Sequence, residues 1–161
     1  MKNKGSRFLT LSGVIAAQYV VLTMFSAAFG MASGVVQVRL GEALTVLPCF
    51  TSAAVPGLFV GCIIANIISG CAPWDVLFGS LATLLGAIWT RVLRNNPYVA
   101  VLGPVISNTV IVPLVLVKVY EVDMALPLLM LSVGVGEVIS CGVLGIILYK
   151  FLKNRFKYLH N

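Results

Sequence analysis

Ionisable and amide side chains are scarce in this chain, and three that lie within long apolar segments are singled out. Glu137 lies in GVGEVIS, Asn108 in PVISNTV and Asn66 in CIIANIISG. Polar groups are costly in a hydrocarbon environment and ionisable ones are costlier, so each is a candidate for function. An unpaired carboxylate there would be protonated or would need a partner. The alternative for both asparagines is hydrogen bonding between helices.

A second polar group stands at the start of a short apolar segment, VRLGEALTVLP, which contains Arg39 and Glu42. Their spacing of three residues places them on one face of a helix. Arg39 would then keep Glu42 ionised and positioned, or would instead form a buried structural ion pair with Glu137. Trp74 is expected at the outer membrane boundary, where it would belong to an interfacial belt or stack on a flat ligand.

The composition defines the class of protein. Of the 161 residues, 60% are hydrophobic and only 10% are charged, against about 25% charged in a soluble domain. The mean hydropathy is +1.05. A soluble chain of this length could not bury so much apolar surface, so we expect a polytopic membrane protein with a single domain, 1–161. The net charge of +6 is spread in short basic groups between apolar runs, which argues against nucleic-acid binding.

Breaks at glycine, proline and charged clusters divide the chain into six apolar segments. They predict an all-α integral membrane protein, a compact six-transmembrane-helix bundle with a short second helix. The predicted segments are Phe8–Phe29, Gly41–Phe50, Val55–Ser69, Val76–Leu93, Tyr98–Val119 and Met124–Tyr149.

The charge distribution predicts the orientation. If all six segments cross, one side collects the termini and no acidic residue, together with Lys2, Lys4, Arg7, Arg91, Arg94, Lys150, Lys153, Arg155 and Lys157. Basic residues favour the cytoplasmic side, so both termini are expected to be cytoplasmic, in a multi-pass protein of the bacterial cytoplasmic membrane.

The second segment is too short for an ordinary crossing. Ten residues of α-helix reach about 15 Å, half of a hydrocarbon core of about 30 Å. Either its start lies below the outer surface or its end is buried in protein. In the first case, Arg39 and Glu42 would line an outward-facing cavity.

Several chemistries lack their residues. There is no Walker lysine motif, no GxSxG or HExxH motif, and the one histidine is His160 beside the C-terminus. Cys49, Cys62, Cys71 and Cys141 form no CxxC pair. We therefore expect no catalytic residue, no metal site and no cofactor, and any ATP hydrolysis would belong to separate partner subunits. No inverted repeat relates the two halves, which weakens the case for a secondary transporter.

Small residues form a stripe on the first segment, where Ser12, Gly13, Ala16 and Ala17 make overlapping small-xxx-small pairs. Such a stripe lets another helix approach closely. The neighbouring helix could belong to the same bundle or to a partner protein.

Three stretches together resemble one family: VQVRLGEALTVLP, AAVPGLFVGCIIANIISG and DVLFGSLATLLGA. They resemble the QueT group, the substrate-binding subunits of energy-coupling-factor transporters, and the resemblance covers nearly the whole chain. It implies a subunit that captures a queuosine precursor, a 7-deazaguanine base, from outside. Such a subunit docks on a transmembrane coupling protein carried by two ATPase subunits, and topples in the membrane to release its ligand. The resemblance also implies that Ser12, Gly13, Ala16 and Ala17 form the docking surface.

The implied ligand suits the polar residues. A guanine-like edge offers adjacent N–H and NH₂ donors that one carboxylate can accept, and an aminomethyl substituent would add a cation for a second carboxylate. Glu42 and Glu137 supply the two acids, with either one reading the edge, and Asn108 or Asn66 could read the carbonyl. The loop Gly30–Val38 would be the lid.

Three other functions remain open. The nearest is the same transporter class with another flat vitamin, such as a flavin or thiamine. A secondary transporter working alone is the second, and an intramembrane enzyme or structural scaffold is the third.

Overall fold

The computed structural model describes residues 2–31 and 37–159 of the chain, with side chains described over 4–31 and 37–155. All regular structure in these ranges is helical, which confirms the expected all-α membrane bundle. We number the α-helices in chain order and name the 3₁₀ helix separately. The elements are α1 (Lys2–Ala28), the 3₁₀ helix (Leu40–Cys49), α2 (Ala54–Ile68), α3 (Pro73–Val92), α4 (Pro97–Val119) and α5, which begins at Leu126.

Helix α5 is continuous but changes type twice. It is α-helical over Leu126–Glu137, π-helical over Val138–Leu144 and α-helical again over Gly145–Leu159. Four stretches in the described chain are long and apolar enough to cross a membrane, namely Lys4–Ala28, Pro73–Val92, Pro97–Val119 and Leu126–Arg155. The 3₁₀ helix and α2 are apolar but shorter.

Contacts between helix ends define one end of the bundle, which we call the terminal end. There the Ser12 hydroxyl donates to the Ala53 carbonyl over 2.9 Å. The Arg91 guanidinium donates to the Pro48 carbonyl over 3.0 Å. These contacts place the beginning of α1, the end of the 3₁₀ helix and the end of α3 at one level.

The opposite end, which we call the loop end, is defined in the same way. The Leu40 N–H donates to the Ser26 hydroxyl over 2.8 Å, and the Ala72 N–H donates to the Tyr120 hydroxyl over 2.9 Å. Successive helices therefore run in opposite directions, as six crossings require. The described charges separate in the main accordingly. Asp75, Glu121 and Asp123 lie at the loop end together with Lys118, and the terminal end has Lys4, Arg7, Arg91, Arg94, Lys150, Lys153 and Arg155.

The second helix was expected to be an α-helix too short to cross the bundle, but it is wound differently. The segment Leu40–Cys49 is a 3₁₀ helix, whose rise of about 2.0 Å per residue stretches ten residues to about 20 Å. That length matches the distance along α1 between Ser26 and Ser12, fourteen residues or about 21 Å. The tighter winding lets a short segment reach from one end of the bundle to the other. Long 3₁₀ helices are uncommon, and this one is enclosed by its neighbours, with Glu42, Leu44, Thr45 and Val46 buried.

Glycines on α2 let it pack closely against α1. A Cβ added at Gly57 would lie 2.7 Å from the Ser12 carbonyl oxygen, and one added at Gly61 would lie 2.9 Å from Tyr19 Cβ. The small-residue stripe of α1 is therefore divided. Ser12 and Ala16 face α2 within the bundle, whereas Gly13 and Ala17 are exposed.

Glycines end two of the three helices that finish at the loop end, α1 and α2. Gly30 has φ +69° and Gly70 has φ +72°, a left-handed conformation that costs glycine little. Each is followed by the hydrogen-bond pair of a Schellman motif, such as Gly30 N–H to Ala27 carbonyl and Met31 N–H to Ser26 carbonyl. The chain thus turns sharply beside the site described next.

Candidate functional site

The polar residues singled out in the apolar segments meet inside the bundle. Arg39, Glu42, Asn108 and Glu137 line one small cavity of about 20 Å³, which we call the inner cavity. A space of that size holds about one water molecule. Its remaining lining consists of Gln37, Cys62, Asp75, Gly79, Thr83, Val112 and Val133.

A larger polar cavity of about 370 Å³ adjoins it toward the loop end, and we call it the outer cavity. Gln37, Arg39 and Asp75 line both cavities and form the partition between them. The volume of the outer cavity falls within the range of about 300–1,000 Å³ of small-molecule sites. Its other lining residues are Thr23, Ala27, Asn66, Ser69, Cys71, Leu116, Tyr120 and Val122.

Glu42 projects from the first turn of the 3₁₀ helix and is only 2% exposed. The Tyr19 hydroxyl from α1 donates to Glu42 Oε1. The Thr45 hydroxyl donates to the Glu42 carbonyl over 2.6 Å. Gly41 lets α1 approach, because a Cβ there would lie 3.0 Å from the Tyr19 carbonyl oxygen. Glu42 is thus fixed by its own helix and by α1.

Glu137 reaches the same cavity from the point where α5 becomes π-helical. π-Helical turns are rare and occur often at functional sites. The Cys141 thiol donates to Glu137 Oε2 over 3.1 Å. Ser140, in the same segment, accepts a hydrogen bond from the Arg39 N–H over 3.2 Å. The π-helical segment therefore connects α5 to the residue that precedes the 3₁₀ helix.

The two carboxyl groups are close neighbours. One oxygen of Glu42, one oxygen of Glu137 and Cys141 Sγ all lie within 4.8 Å of one another. Two full negative charges at that distance would repel by about 3 kcal/mol at an effective dielectric constant of about 20. In this structure the Cys141 thiol donates to Glu137. We therefore treat the trio as a hydrogen-bonded acid cluster.

The two asparagines occupy different cavities. Asn108 on α4 is 3% exposed and lies beside both carboxyl groups. Asn66 on α2 is also 3% exposed, but lines the outer cavity and places its amide 3.6 Å from Cys62 Sγ. Asn108 is therefore the amide that lies beside the two acids.

Arg39 forms neither of the expected ion pairs. It has φ −105° and ψ 108°, an extended conformation before the 3₁₀ helix begins. The helical spacing that would bring it beside Glu42 does not apply there. In the described ranges, no carboxylate oxygen lies within 4.0 Å of a nitrogen of its guanidinium. Its side chain instead lines both cavities, as part of the partition.

The structure does not bring Trp74 to either cavity. It is 59% exposed, stacks on Phe78 with ring centroids 6.1 Å apart, and lines an apolar groove between α3 and α4. Adjacent residues of a helix point about 100° apart, so Asp75 faces inward where Trp74 faces outward. Asp75 is 8% exposed.

The predicted segments leave Asp75 in the break before Val76, so sequence reasoning missed its role in the partition. The Tyr120 hydroxyl donates to Asp75 Oδ2 over 3.0 Å. Partial burial raises the pKa of Tyr120, and the nearby Asp75 carboxylate adds to that rise. The phenol therefore stays protonated and keeps donating at neutral pH. The sequence signal that could have placed Asp75 on the helix is an acid directly after Pro73, since prolines and acids are both favoured in the first turn of a helix.

Other residues of the site were not chosen from the sequence. Thr23, Gln37, Cys62 and Thr83 line the cavities, and Tyr19 and Cys141 donate to the two acids. Thr23 is notable because its hydroxyl is buried and has no hydrogen-bond partner within the described chain. Polar residues in apolar segments were the signal for most of them.

The expected lid, Gly30–Val38, falls largely on residues 32–36, which lie outside the described residues. Its two described flanks are joined, because the Val38 N–H donates to the Met31 carbonyl over 2.8 Å. The segment therefore begins and ends at the mouth of the outer cavity, beside Gln37.

Comparison with known proteins gives a family. The family model described as QueT transporter matches residues 9–154. The "Queuosine precursor transporter QueT" of Lactococcus lactis subsp. cremoris (strain MG1363) is 31% identical over 86 residues, 53% of this chain and 50% of that protein. The match thus spans about half the length of the curated relative. No solved structure matches this chain. Its apolar helices and the family match together make this chain a multi-pass membrane protein of the QueT transporter family.

Proposed function

We propose that this protein is the substrate-capture subunit of an ATP-driven energy-coupling-factor importer, and that it binds a queuosine precursor, a 7-deazaguanine base. Membership of the QueT transporter family and the name of the Lactococcus relative support the ligand class. The observation that carries the proposal is the meeting of Glu42, Glu137 and Asn108 around one cavity beside the loop end.

The chemistry of the cavity suits a guanine-like edge. A carboxylate can accept the adjacent N–H and NH₂ donors of such a base, and an amide can read the neighbouring carbonyl. Each of these groups is nearly excluded from water, so a base lacking the donors would leave buried acceptors unpaired. This supports selectivity for guanine-like bases over flavin or thiamine.

The route to the acids passes through the outer cavity. That cavity has room for a base, whereas the inner cavity holds about one water molecule. The base would rest against Asn66 and Asp75 and reach inward when the side chains of Gln37 and Arg39 move aside. Gln37 belongs to the proposed lid, Gly30–Val38, so lid movement and opening of the partition would be linked.

Delivery of the ligand would require partners. The exposed Gly13 and Ala17 of α1 offer a flat strip where a helix of a transmembrane coupling protein could pack. Ser12 and Ala16 would support that strip from behind through their contacts with α2. Two separate ATPase subunits would supply the energy, and toppling of the docked subunit would expose the site to the cytoplasm.

Direct binding tests the ligand. Purified protein would be titrated with 7-deazaguanine bases, guanine, riboflavin and thiamine, and we expect binding to the deazaguanines only. The double variant Glu42→Ala/Glu137→Ala should lose that binding, whereas Asp123→Ala, an exposed acid at the loop end, should keep it. Unchanged binding by the double variant would refute the site, and preference for riboflavin or thiamine would refute the ligand.

Uptake tests the energy source. Cells producing this protein with a complete coupling module should accumulate labelled base, and cells with inactive ATPase subunits should not. Accumulation that continues without the module and follows an ion gradient would establish a secondary transporter instead. Replacing Gly13 with Leu should weaken co-purification with the coupling protein and leave base binding intact.

A further inference from the structure

The inner cavity carries more negative than positive groups. Its ionisable lining comprises the carboxyl groups of Glu42, Asp75 and Glu137 and one guanidinium, that of Arg39. Asp75 is engaged at the partition by the Tyr120 hydroxyl. The acids that face the ligand space without a cationic partner in the described chain are therefore Glu42 and Glu137.

These two acids are surrounded by groups that cannot balance two negative charges. Tyr19 from α1 donates to Glu42, and Cys141 from α5 donates to Glu137. Cys62 from α2, Asp75 and Thr83 from α3, and Asn108 from α4 complete the lining. Arg39 is the one cation among the described residues of the lining, and it lies beyond ion-pair distance of both.

Their separation limits their ionisation. Oxygens of Glu42 and Glu137 lie within 4.8 Å of each other, and the residues are 2% and 8% exposed. Two carboxylates that share a desolvated site do not both ionise readily, and such a pair holds one proton between them. The proton belongs to the pair and not to either residue.

We propose that Glu42 and Glu137 share one proton in the free protein, and that a base bearing a primary ammonium group displaces this proton when it binds. This inference rests on the proposed function, because it concerns the same site. In the exchange, the carboxyl O–H bond breaks and the proton passes to bulk water. The ammonium N–H then donates to the freed carboxylate. One positive charge replaces another, so the net charge of the site does not change.

The exchange would make the site selective for a charged base. The ammonium of a 7-aminomethyl substituent gains a charge-assisted hydrogen bond in place of a shared proton. A 7-cyano substituent is neutral and a hydrogen-bond acceptor, so the pair would keep its proton and gain no ionic contact. The guanine-like edge is common to both bases and can be read by the carboxylate that is already ionised.

Isothermal titration calorimetry of the full chain in lipid nanodiscs tests this. Each base would be titrated in two buffers of different ionisation enthalpy at the same pH, which gives the number of protons released. We expect about one proton released by 7-aminomethyl-7-deazaguanine and none by 7-cyano-7-deazaguanine. The dissociation constant of the aminomethyl base should be at least about tenfold lower than that of the cyano base. It should fall by up to about tenfold for each unit that the pH rises, as long as the pair is protonated in the free protein.

Matched variants locate the proton. Glu42→Gln and Glu137→Gln each remove one carboxylate, and with it the repulsion that favours protonation of the other. Proton release should therefore fall clearly below that of the parent, while the guanine-like edge keeps a reader in at least one variant. Asp123→Asn should release one proton, like the parent. Thermal unfolding in the same nanodiscs identifies a variant that has failed to fold. The proton release of the other variant then tests the proposal.

The outcomes separate the two proposals. If the aminomethyl base binds with no proton release, or if both bases bind equally well, proton exchange is refuted and the proposed function stands. If neither base binds to the folded parent protein, the proposed function itself is refuted.

Discussion

The inner cavity is small and polar, whereas the lipid-facing grooves are large and apolar. The inner cavity measures about 20 Å³ and is lined by charged and amide groups. The groove that contains Trp74 and Phe78 measures about 670 Å³, and a second groove, between α4 and α5 and containing Thr109 and Gly134, measures about 720 Å³. Both grooves are lined almost entirely by apolar side chains.

On the proposed function, volume is a poor guide to the position of the ligand site in this membrane bundle. Grooves on the outside of such a bundle are filled by acyl chains, which are as apolar as leucine. Polar groups in the interior are costly and persist where they serve function or bind one another. Changes at the inner cavity should therefore alter ligand binding, whereas equivalent changes at a groove should not.

The largest contrast is expected between two glycines on α5. A Cβ at Gly136 would collide with the Gln37 carbonyl oxygen, whereas one at Gly134 would lie 3.3 Å from the Thr109 side chain in the groove. Gly136→Ala should displace the partition at a cost of about 2 kcal/mol, or roughly thirtyfold in affinity for the deazaguanine base. Gly134→Ala should change affinity by less than about twofold. Calorimetric titration measures both, and equal effects would contradict the proposed division of the two regions.

Tyr19→Phe should have the next largest effect. It removes the phenol hydrogen that is donated to Glu42 and leaves a buried acceptor unpaired. A loss of about 1.5 kcal/mol is expected, or roughly tenfold in affinity. Tyr149→Phe, at the terminal end where Tyr149 packs on Phe50, is the matched control and should bind like the parent. Normal binding by Tyr19→Phe would mean that Glu42 needs no positioning from α1.

Adjacent residues of α4 provide a smaller contrast. Asn108 faces the inner cavity, whereas Thr109 faces the groove with a buried hydroxyl that has no partner in the described chain. Asn108→Ala should weaken base binding roughly fivefold, for about 1 kcal/mol of lost hydrogen bonding. Thr109→Val should leave binding unchanged and slightly raise the unfolding temperature, because an unpaired buried hydroxyl is removed. A binding defect in Thr109→Val would place a ligand contact in the groove.

The smallest effect is expected at Trp74. Because its ring stacks on Phe78 outside both cavities, Trp74→Leu should change base affinity by less than about twofold. Quenching of Trp74 fluorescence by lipid-soluble quenchers should also be insensitive to the base. A tenfold loss of affinity would restore the interpretation that this ring stacks on the ligand.

The membrane class and the helical segments could be predicted because they depend on local composition. Apolar runs of sufficient length must form helices in lipid, where backbone groups have no other partners. Glu42, Glu137 and Asn108 could be singled out for a related reason, since a polar group in such a run needs an explanation. Their meeting around one cavity depends on packing, which the sequence could only suggest.

The remaining features depend on contacts between distant segments. The 3₁₀ winding of Leu40–Cys49 and the π-helical turns of Val138–Leu144 follow from enclosure by neighbouring helices, and no propensity indicates either. Arg39 does not share a helical face with Glu42 because it precedes the 3₁₀ helix in an extended conformation, which gives its side chain a different direction. Because α3 begins at Pro73, Asp75 falls in its first turn and faces the cavities, whereas Trp74 faces the groove.

The shortness of α2 has a consequence for the surrounding bilayer. Its fifteen residues span about 22 Å, and Val60, Ile64, Ile67 and Ile68 are exposed along it, whereas a typical hydrocarbon core is about 30 Å thick. Lipids along this flank must compress, or the whole protein must lean, and each ångström of hydrophobic mismatch costs a fraction of a kcal/mol. The bilayer therefore exerts a one-sided strain on the molecule even at rest, and that strain grows as the acyl chains lengthen.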